Sequence, residues 1–221
     1  MTLYSFVEGP LLWIAFLTFI IGNFVRVALF FSVSVKKDKI IYQHFKWKYI
    51  FATIVRWLLP LNKGVIKNPV FATIVYIFHI CLIVVPIWLS GHIILWEESR
   101  FGWNWSAMPD VWADWMTLIC IGIAVFFLIR RIVSPDIRFI STKSDYLLII
   151  VTVLPFVTGY FLSHGTLNSV PFLSANMQII HILSAELMLI VIPFTRLSHF
   201  ILFFLSRGAT GIEFGRRGYS M

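Results

Sequence analysis

Residues 179–200 read IIHILSAELMLIVIPFTRLSHF. The stretch has the length and aliphatic content of a membrane helix, which needs about 20 mostly apolar residues to cross the hydrocarbon core. Yet it carries His181, Glu186, Arg196 and His199. Hydrocarbon gives none of them a hydrogen-bonding partner, so ionisable groups at that depth are costly and mark functional sites by default. The rest of the chain decides which function these four serve.

Of the 221 residues, 59% are hydrophobic, and the mean hydropathy is +0.88. An ordinary soluble domain is about 45–50% apolar, so this composition belongs to an integral membrane protein. Charges are few and lopsided, 18 Lys+Arg against 10 Asp+Glu. The basic residues cluster between apolar runs, where they set topology and meet anionic headgroups; nucleic-acid binding is excluded. The opening MTLYSFVEGPLLWIAF has no basic segment and no small-residue cleavage site, so the first apolar run reads as a retained span. Only Cys81 and Cys120 are present, neither in a CxxCH, which rules out covalent c-type haem and a four-cysteine cluster.

Five runs are long enough to span: Pro10 to Val35, Val70 to Trp96, Val111 to Ile132, Tyr146 to Leu162 and Met177 to Leu205. The expected fold is therefore an all-α integral membrane bundle of five transmembrane helices over residues 1–221, in one domain. Between the first two spans, Tyr42 to Leu61 mixes aromatic, apolar and basic residues, as an interfacial helix does; it anchors in lipid or docks a partner. One side of the membrane receives KKDKIIYQHFKWK, RRIVSPDIRFISTK and the tail SRGATGIEFGRRGYSM, whereas the opposite loops hold only Arg100. The positive-inside rule then puts the N-terminus outside and the C-terminus in the cytoplasm. The outer loop WEESRFGWNWSAMPDVWADW is rich in Trp, suited to the membrane boundary, and acidic at Glu97, Glu98, Asp110 and Asp114.

Six histidines carry most of the functional signal. His79 and His92 lie on the second span, His181 and His199 on the fifth, His44 in the basic segment and His164 after the fourth span. Two helices bearing two histidines each can clamp two haems, one above the other, with one imidazole from each helix on each iron. In a continuous helix His181 and His199 are 18 residues, about five whole turns, apart and share one face. His79 and His92 are 13 apart, about 140° short of whole turns, and Pro86 between them predicts a kink that restores both to one side. Antiparallel spans then pair His79 with His199 near the cytoplasm and His92 with His181 near the outside. The competing reading is that membrane histidines bond across helices or line a polar cavity.

Arg196 precedes His199 by about one turn and suits a propionate of the inner haem, the alternative being a side chain that snorkels to headgroups. Arg130 and Arg131 read as topology determinants. Glu186 points some 140° away from His181 and serves either as a neutral structural group or in a proton path.

At these residues the chain resembles the respiratory nitrate reductase gamma-subunit family of b-type cytochromes. The resemblance rests on FHICLIVVPIWLSGH, RRIVSPDIRFISTKSD and HILSAELMLIVIPFTRLSHF, and covers Asn68 to Phe204, more weakly the first span. It implies five helices and two b-type haems, the outer on His92 and His181, the inner on His79 and His199. It also implies electron relay between an outer quinone site and a cytoplasmic iron–sulfur subunit. In nitrate reductase members the second-span histidines are closer together, and the lysine of their quinol site has no counterpart after His92. The tail GIEFGRRGYSM looks instead like relatives from sulfate-reducing bacteria. Those pair the cytochrome b with a heterodisulfide-reductase-like iron–sulfur protein and often a periplasmic multihaem cytochrome c.

The expected function is a dihaem electron-transfer subunit linking menaquinone or a periplasmic cytochrome c to that cytoplasmic partner, alongside other membrane subunits and lipid. The alternative is a proton-conducting or transporter subunit that uses the membrane histidines and Glu186. A membrane anchor with purely structural haems is a third reading.

Overall fold

The computed structural model describes residues 2–59 and 63–219, and among them every regular element is helical. Five helices are long and apolar enough to cross a membrane: Leu3–Lys37, Pro69–Trp88, Asp110–Val133, Lys143–His164 and Pro171–Phe194. The all-α membrane class is as the sequence indicates. By packing, the chain forms two compact units, one from residues 1–72 and 189–221, the other from Thr73–Met188.

In the second unit the core is a cluster of Phe78, Cys81 and Val85 on the second span, Cys120 and Ala124 on the third, and Phe156 on the fourth. The third span buries Ala113, Thr117, Cys120 and Ala124, a stripe at helical spacing made wholly of small residues. In lipid, helices associate by close packing and not by fleeing water, and small side chains let backbones approach. The loop after it, RRIVSPDIRFISTKSD, is itself ordered. Pro135 starts a short helix, Pro135–Ile140, and Arg131 donates to the Ser141 hydroxyl at 2.7 Å. Thr142 and Asp145 then form a capping box at the start of the fourth span. Gly165, at φ 59°, closes that helix in the left-handed conformation that glycine adopts without penalty.

The second span departs from expectation. It does not run to Trp96 around a kink at Pro86; it ends at Trp88, and Leu89 is extended before a separate helix, Ser90–Glu98. A helix end leaves its last carbonyls without partners, and here they are supplied by the outer segment. Trp105 Nε1 donates to the Ile87 carbonyl at 2.9 Å, and the Met108 N–H donates to that of Trp88 at 2.9 Å. The Pro86 carbonyl receives the ring of His92. Of the four acidic loop residues, Asp110 accepts from Ser90 at 3.0 Å and Asp114 pairs with His164 at 3.3 Å.

In the first unit, the opening span contains a π-helical turn, Val7–Leu11, around Pro10, which has no N–H to give. Farther along, the fifth span also departs from expectation. The α-helix stops at Val191, a 3₁₀ turn carries Ile192–Phe194, and Thr195 is extended. A second 3₁₀ turn, Arg196–Ser198, leads into the helix His199–Arg216. The five-turn argument that placed His181 and His199 on one face of a continuous helix therefore does not hold.

The interfacial segment is helical from Trp47 to Leu58; Pro60 and Leu61 lie outside the described residues. It packs on the helix His199–Arg216 through a glycine stripe. A methyl at Gly211 would fall 2.5 Å from Thr53 Oγ1 and 2.6 Å from the Tyr49 carbonyl, and one at Gly215 would strike the Tyr49 ring. Arg207 lies 3.7 Å over the Trp57 ring, a cation–π contact, while Trp47 and Phe51 are 63% and 60% exposed. At the end of the tail helix, Arg216 grips the Glu213 carboxylate with two hydrogen bonds of 2.8 and 2.7 Å, and Arg217 adds a second guanidinium. These contacts, Arg216 foremost, hold the Glu213 carboxyl below the usual carboxylate range.

Candidate functional site

Each of the four membrane histidines has its Nδ1 tied to a nearby oxygen. His79 reaches the Val75 carbonyl at 2.8 Å, His92 the Pro86 carbonyl at 2.9 Å, and His199 the Arg196 carbonyl at 2.9 Å. A carbonyl only accepts, so in these three rings Nδ1 carries the proton and Nε2 carries the lone pair. That is the tautomer a metal-ligating histidine adopts when its second nitrogen is anchored by an outer partner. The fourth ring, His181, meets the Thr158 hydroxyl at 3.1 Å.

His92 and His181 come together within the second unit. Their ring centroids are 6.1 Å apart and their planes are 7° from parallel. An imidazole nitrogen binds a metal at about 2 Å, with the ring centre about 1 Å behind it, so two rings facing one ion have centroids roughly 6 Å apart. Packed aromatic pairs span a range that includes this distance. What distinguishes this pair is that both Nδ1 atoms are engaged, His92 with the Pro86 carbonyl and His181 with the Thr158 hydroxyl. Two near-parallel imidazoles at this separation fit the pair of axial ligands that a b-type haem takes from a chain. Among the described residues there is no group of three or more His, Cys, Asp or Glu side chains placed to hold a metal ion, and two axial imidazoles are all that a haem takes from the chain.

Local sequence explains how the two rings are held. On the second span, the break at Leu89 frees the Pro86 carbonyl, and His92, on the first turn of the next helix, takes it. On the fourth span, the residue after Thr158 is Gly159. A methyl there would lie 2.9 Å from His181 Cε1 and 3.3 Å from Nδ1, so only glycine lets this helix lie against the ring. Thr158 also contacts the Ser184 hydroxyl at 3.0 Å, and Ser184 donates to the His181 carbonyl at 2.7 Å.

His79 stands in the second unit and His199 in the first. Around His199 the sequence PFTRLSH is accounted for almost residue by residue. Pro193 is buried against Gly22, where a methyl would come within 2.6 Å, and its carbonyl accepts from Arg26 Nε at 2.7 Å. Thr195 caps the second 3₁₀ turn by accepting from the Leu197 N–H, and Ser198 donates to the Thr195 carbonyl at 2.8 Å. Arg196 is exposed, and its carbonyl accepts from the His199 ring. Phe19 stacks on Phe200 at 5.7 Å, which seats the first span against this segment.

Glu186 is 2% exposed, and neither carboxyl oxygen has a hydrogen-bond partner among the described residues. His164 is held by Asp114, by the Tyr160 carbonyl at 3.0 Å and by a stack on the Tyr160 ring at 4.2 Å. His44 is exposed at the end of the short helix Lys39–Gln43.

Sequence reasoning missed Thr158, Gly159, Ser184 and Arg26. Two signals were there to be used: an isolated glycine inside a helical pattern, which usually has a packing reason, and an arginine inside the first span.

No family model matches the chain, and no solved structure matches it. It is 34% identical over 222 residues to a protein of Nitratidesulfovibrio vulgaris (strain Hildenborough), the alignment covering 98% of this chain and 96% of that one. The chain belongs to the same family as that protein.

Proposed function

We propose that this family member is a dihaem cytochrome b, the membrane electron-transfer subunit of a respiratory oxidoreductase complex. The observation that carries the reading is the His92–His181 pair, 6.1 Å apart and near-parallel, with both Nδ1 atoms anchored. In this reading His92 and His181 hold the outer b-type haem, and His79 and His199 hold the inner one, with Arg196 as a counter-charge for a propionate. The haems would supply one-electron redox chemistry. The chain's own part is to set the ligand tautomer, to fix the rings, and to keep water away from them within the apolar helices. The basic segments, by the positive-inside rule, put the N-terminus in the periplasm and the C-terminus in the cytoplasm of a bacterial inner membrane. Electrons then pass between menaquinone or a periplasmic multihaem cytochrome c and a cytoplasmic heterodisulfide-reductase-like iron–sulfur subunit.

Reduced-minus-oxidised spectra of the purified protein test this, with haem counted per chain. Two b-type haems are expected; His92→Ala and His181→Ala should each leave one, as should His79→Ala and His199→Ala. A colourless wild type would sink the reading.

A second reading, a proton-conducting or transporter subunit, is favoured by one observation, the buried and unpartnered carboxyl of Glu186. It predicts that His181→Ala leaves every cofactor in place.

A further inference from the structure

We propose that Thr158 is the positioning residue of His181: its hydroxyl accepts the Nδ1 proton and so commits the ring to the tautomer that presents Nε2 to a metal. The inference rests on the haem reading above and deepens it. Three of the four membrane histidines donate to a backbone carbonyl, which leaves no choice of tautomer. A hydroxyl both donates and accepts, so Thr158, 3.1 Å from His181 Nδ1, fits either tautomer until its own proton is placed; the Pro155 carbonyl, also a partner of this ring, only accepts and so favours the ring as donor.

Proton accounting around Thr158 answers this. The hydroxyl has one proton and two carbonyl acceptors on its own helix, Leu154 at 2.9 Å and Pro155 at 3.2 Å. Bonding back to the preceding turn is the usual habit of a helical threonine. The neighbouring Ser184 proton has the His181 carbonyl at 2.7 Å. With the Thr158 proton directed at Leu154, its oxygen faces the ring with a lone pair. Nδ1 must then be the donor at 3.1 Å. Gly159 lets the same helix lie close against the ring edge, which keeps the hydroxyl beside Nδ1.

The arrangement has an electronic consequence. An Nδ1–H that donates makes the opposite nitrogen more basic, and second-shell partners of this kind tune a bound metal. A more basic ligand favours ferric over ferrous iron, so losing the acceptor raises the potential of the haem that His181 holds.

The test is a potentiometric titration, with electron paramagnetic resonance of the oxidised state, on full-length wild type, Thr158→Val and Thr158→Ser. Valine keeps the shape and removes the acceptor; serine restores it. Expected in Thr158→Val is a roughly tenfold shift of one haem towards the reduced form at fixed potential, about 59 mV for a one-electron couple. The other haem should be unmoved and Thr158→Ser should match wild type. Loss of one haem in the valine variant with retention in the serine variant supports the same assignment. If both haems are present and Thr158→Val titrates as wild type, or if serine fails as valine does, the inference is overturned and the haem reading stands. A wild type without haem removes the reading itself.

Discussion

The four histidines were legible as residues because lipid makes them conspicuous, but their supports were not. Their Nδ1 partners are backbone carbonyls and one hydroxyl, and which carbonyl is within reach depends on local turns that a residue count does not reveal. Gly159 is the sharpest case. A methyl there would sit 2.9 Å from His181 Cε1, closer than real contacts allow, so Gly159→Ala must push the ring. Overpacking of this sort costs about 1–3 kcal/mol, and here the ligand itself has to yield. Gly159→Ala is expected to lose the haem proposed on His92 and His181 and to keep the other proposed haem. Gly122→Ala, on the third span with open space around it, should retain both. Haem content and the reduced spectrum of the two variants check this, and an unaltered two-haem spectrum in Gly159→Ala would show that the ring moves aside without consequence.

Among the elements, the existence of all five spans was readable from apolar length, whereas two of their ends were not. Pro86 drew attention to the right region of the second span, yet that helix breaks later, at Leu89; in the fifth span the α-helix stops at Val191, ahead of Pro193, and Thr195 turns extended. The reason at Leu89 is long-range. Trp105 and Met108 satisfy the carbonyls of Ile87 and Trp88 from a loop well down the chain, so ending the helix there leaves no orphan acceptors. At Thr195 the side chain bonds back to the Val191 carbonyl at 2.9 Å and caps the next turn, while Arg26 takes the Pro193 carbonyl. The tail shows the opposite failure. Sequence reading ended the fifth span at Leu205 and gave the tail no helix, but its glycines let the helix His199–Arg216 lie against Trp47–Leu58. Spacing within that stripe makes a graded prediction. Gly211 faces backbone and Thr53 at about 2.5 Å, whereas a methyl at Gly208 meets only Ile50 at 3.4 Å. Gly211→Leu should separate the two helices, lowering thermal stability by about 1–3 kcal/mol, and Gly208→Ala should stay close to wild type. Thermal denaturation in detergent, with proteolysis of the 47–58 segment, reads both effects. Equal behaviour of the two variants would mean that the stripe does not hold the helices.

For the whole molecule, five helices are long and apolar enough to cross; the proposed topology has all five cross, which puts the two ends of the chain on opposite sides, and it assigns the inner end from the distribution of charge. Lys36, Lys37 and Lys39, Arg130 and Arg131, and Arg216 and Arg217 all fall in segments that an odd number of spans leaves on one face; Arg100 alone among the loop cations falls on the other. The insertion machinery responds to such a bias in short loops. Single cysteines placed at the ends report the outcome cleanly, because the natural thiols at Cys81 and Cys120 are both buried in the packed core of the second unit. A membrane-impermeant maleimide added to intact spheroplasts should label Thr2→Cys and leave Tyr219→Cys unlabelled until the cells are opened. Ser99→Cys, beside Arg100, should follow Thr2→Cys. If Tyr219→Cys labels first, the termini are reversed, and the partner proposed at the cytoplasmic face would have to meet the loop that contains Trp103 and Trp105. The helical fold would be untouched by that result. The depth proposed for the His92–His181 pair would be inverted, placing it nearest the cytoplasm.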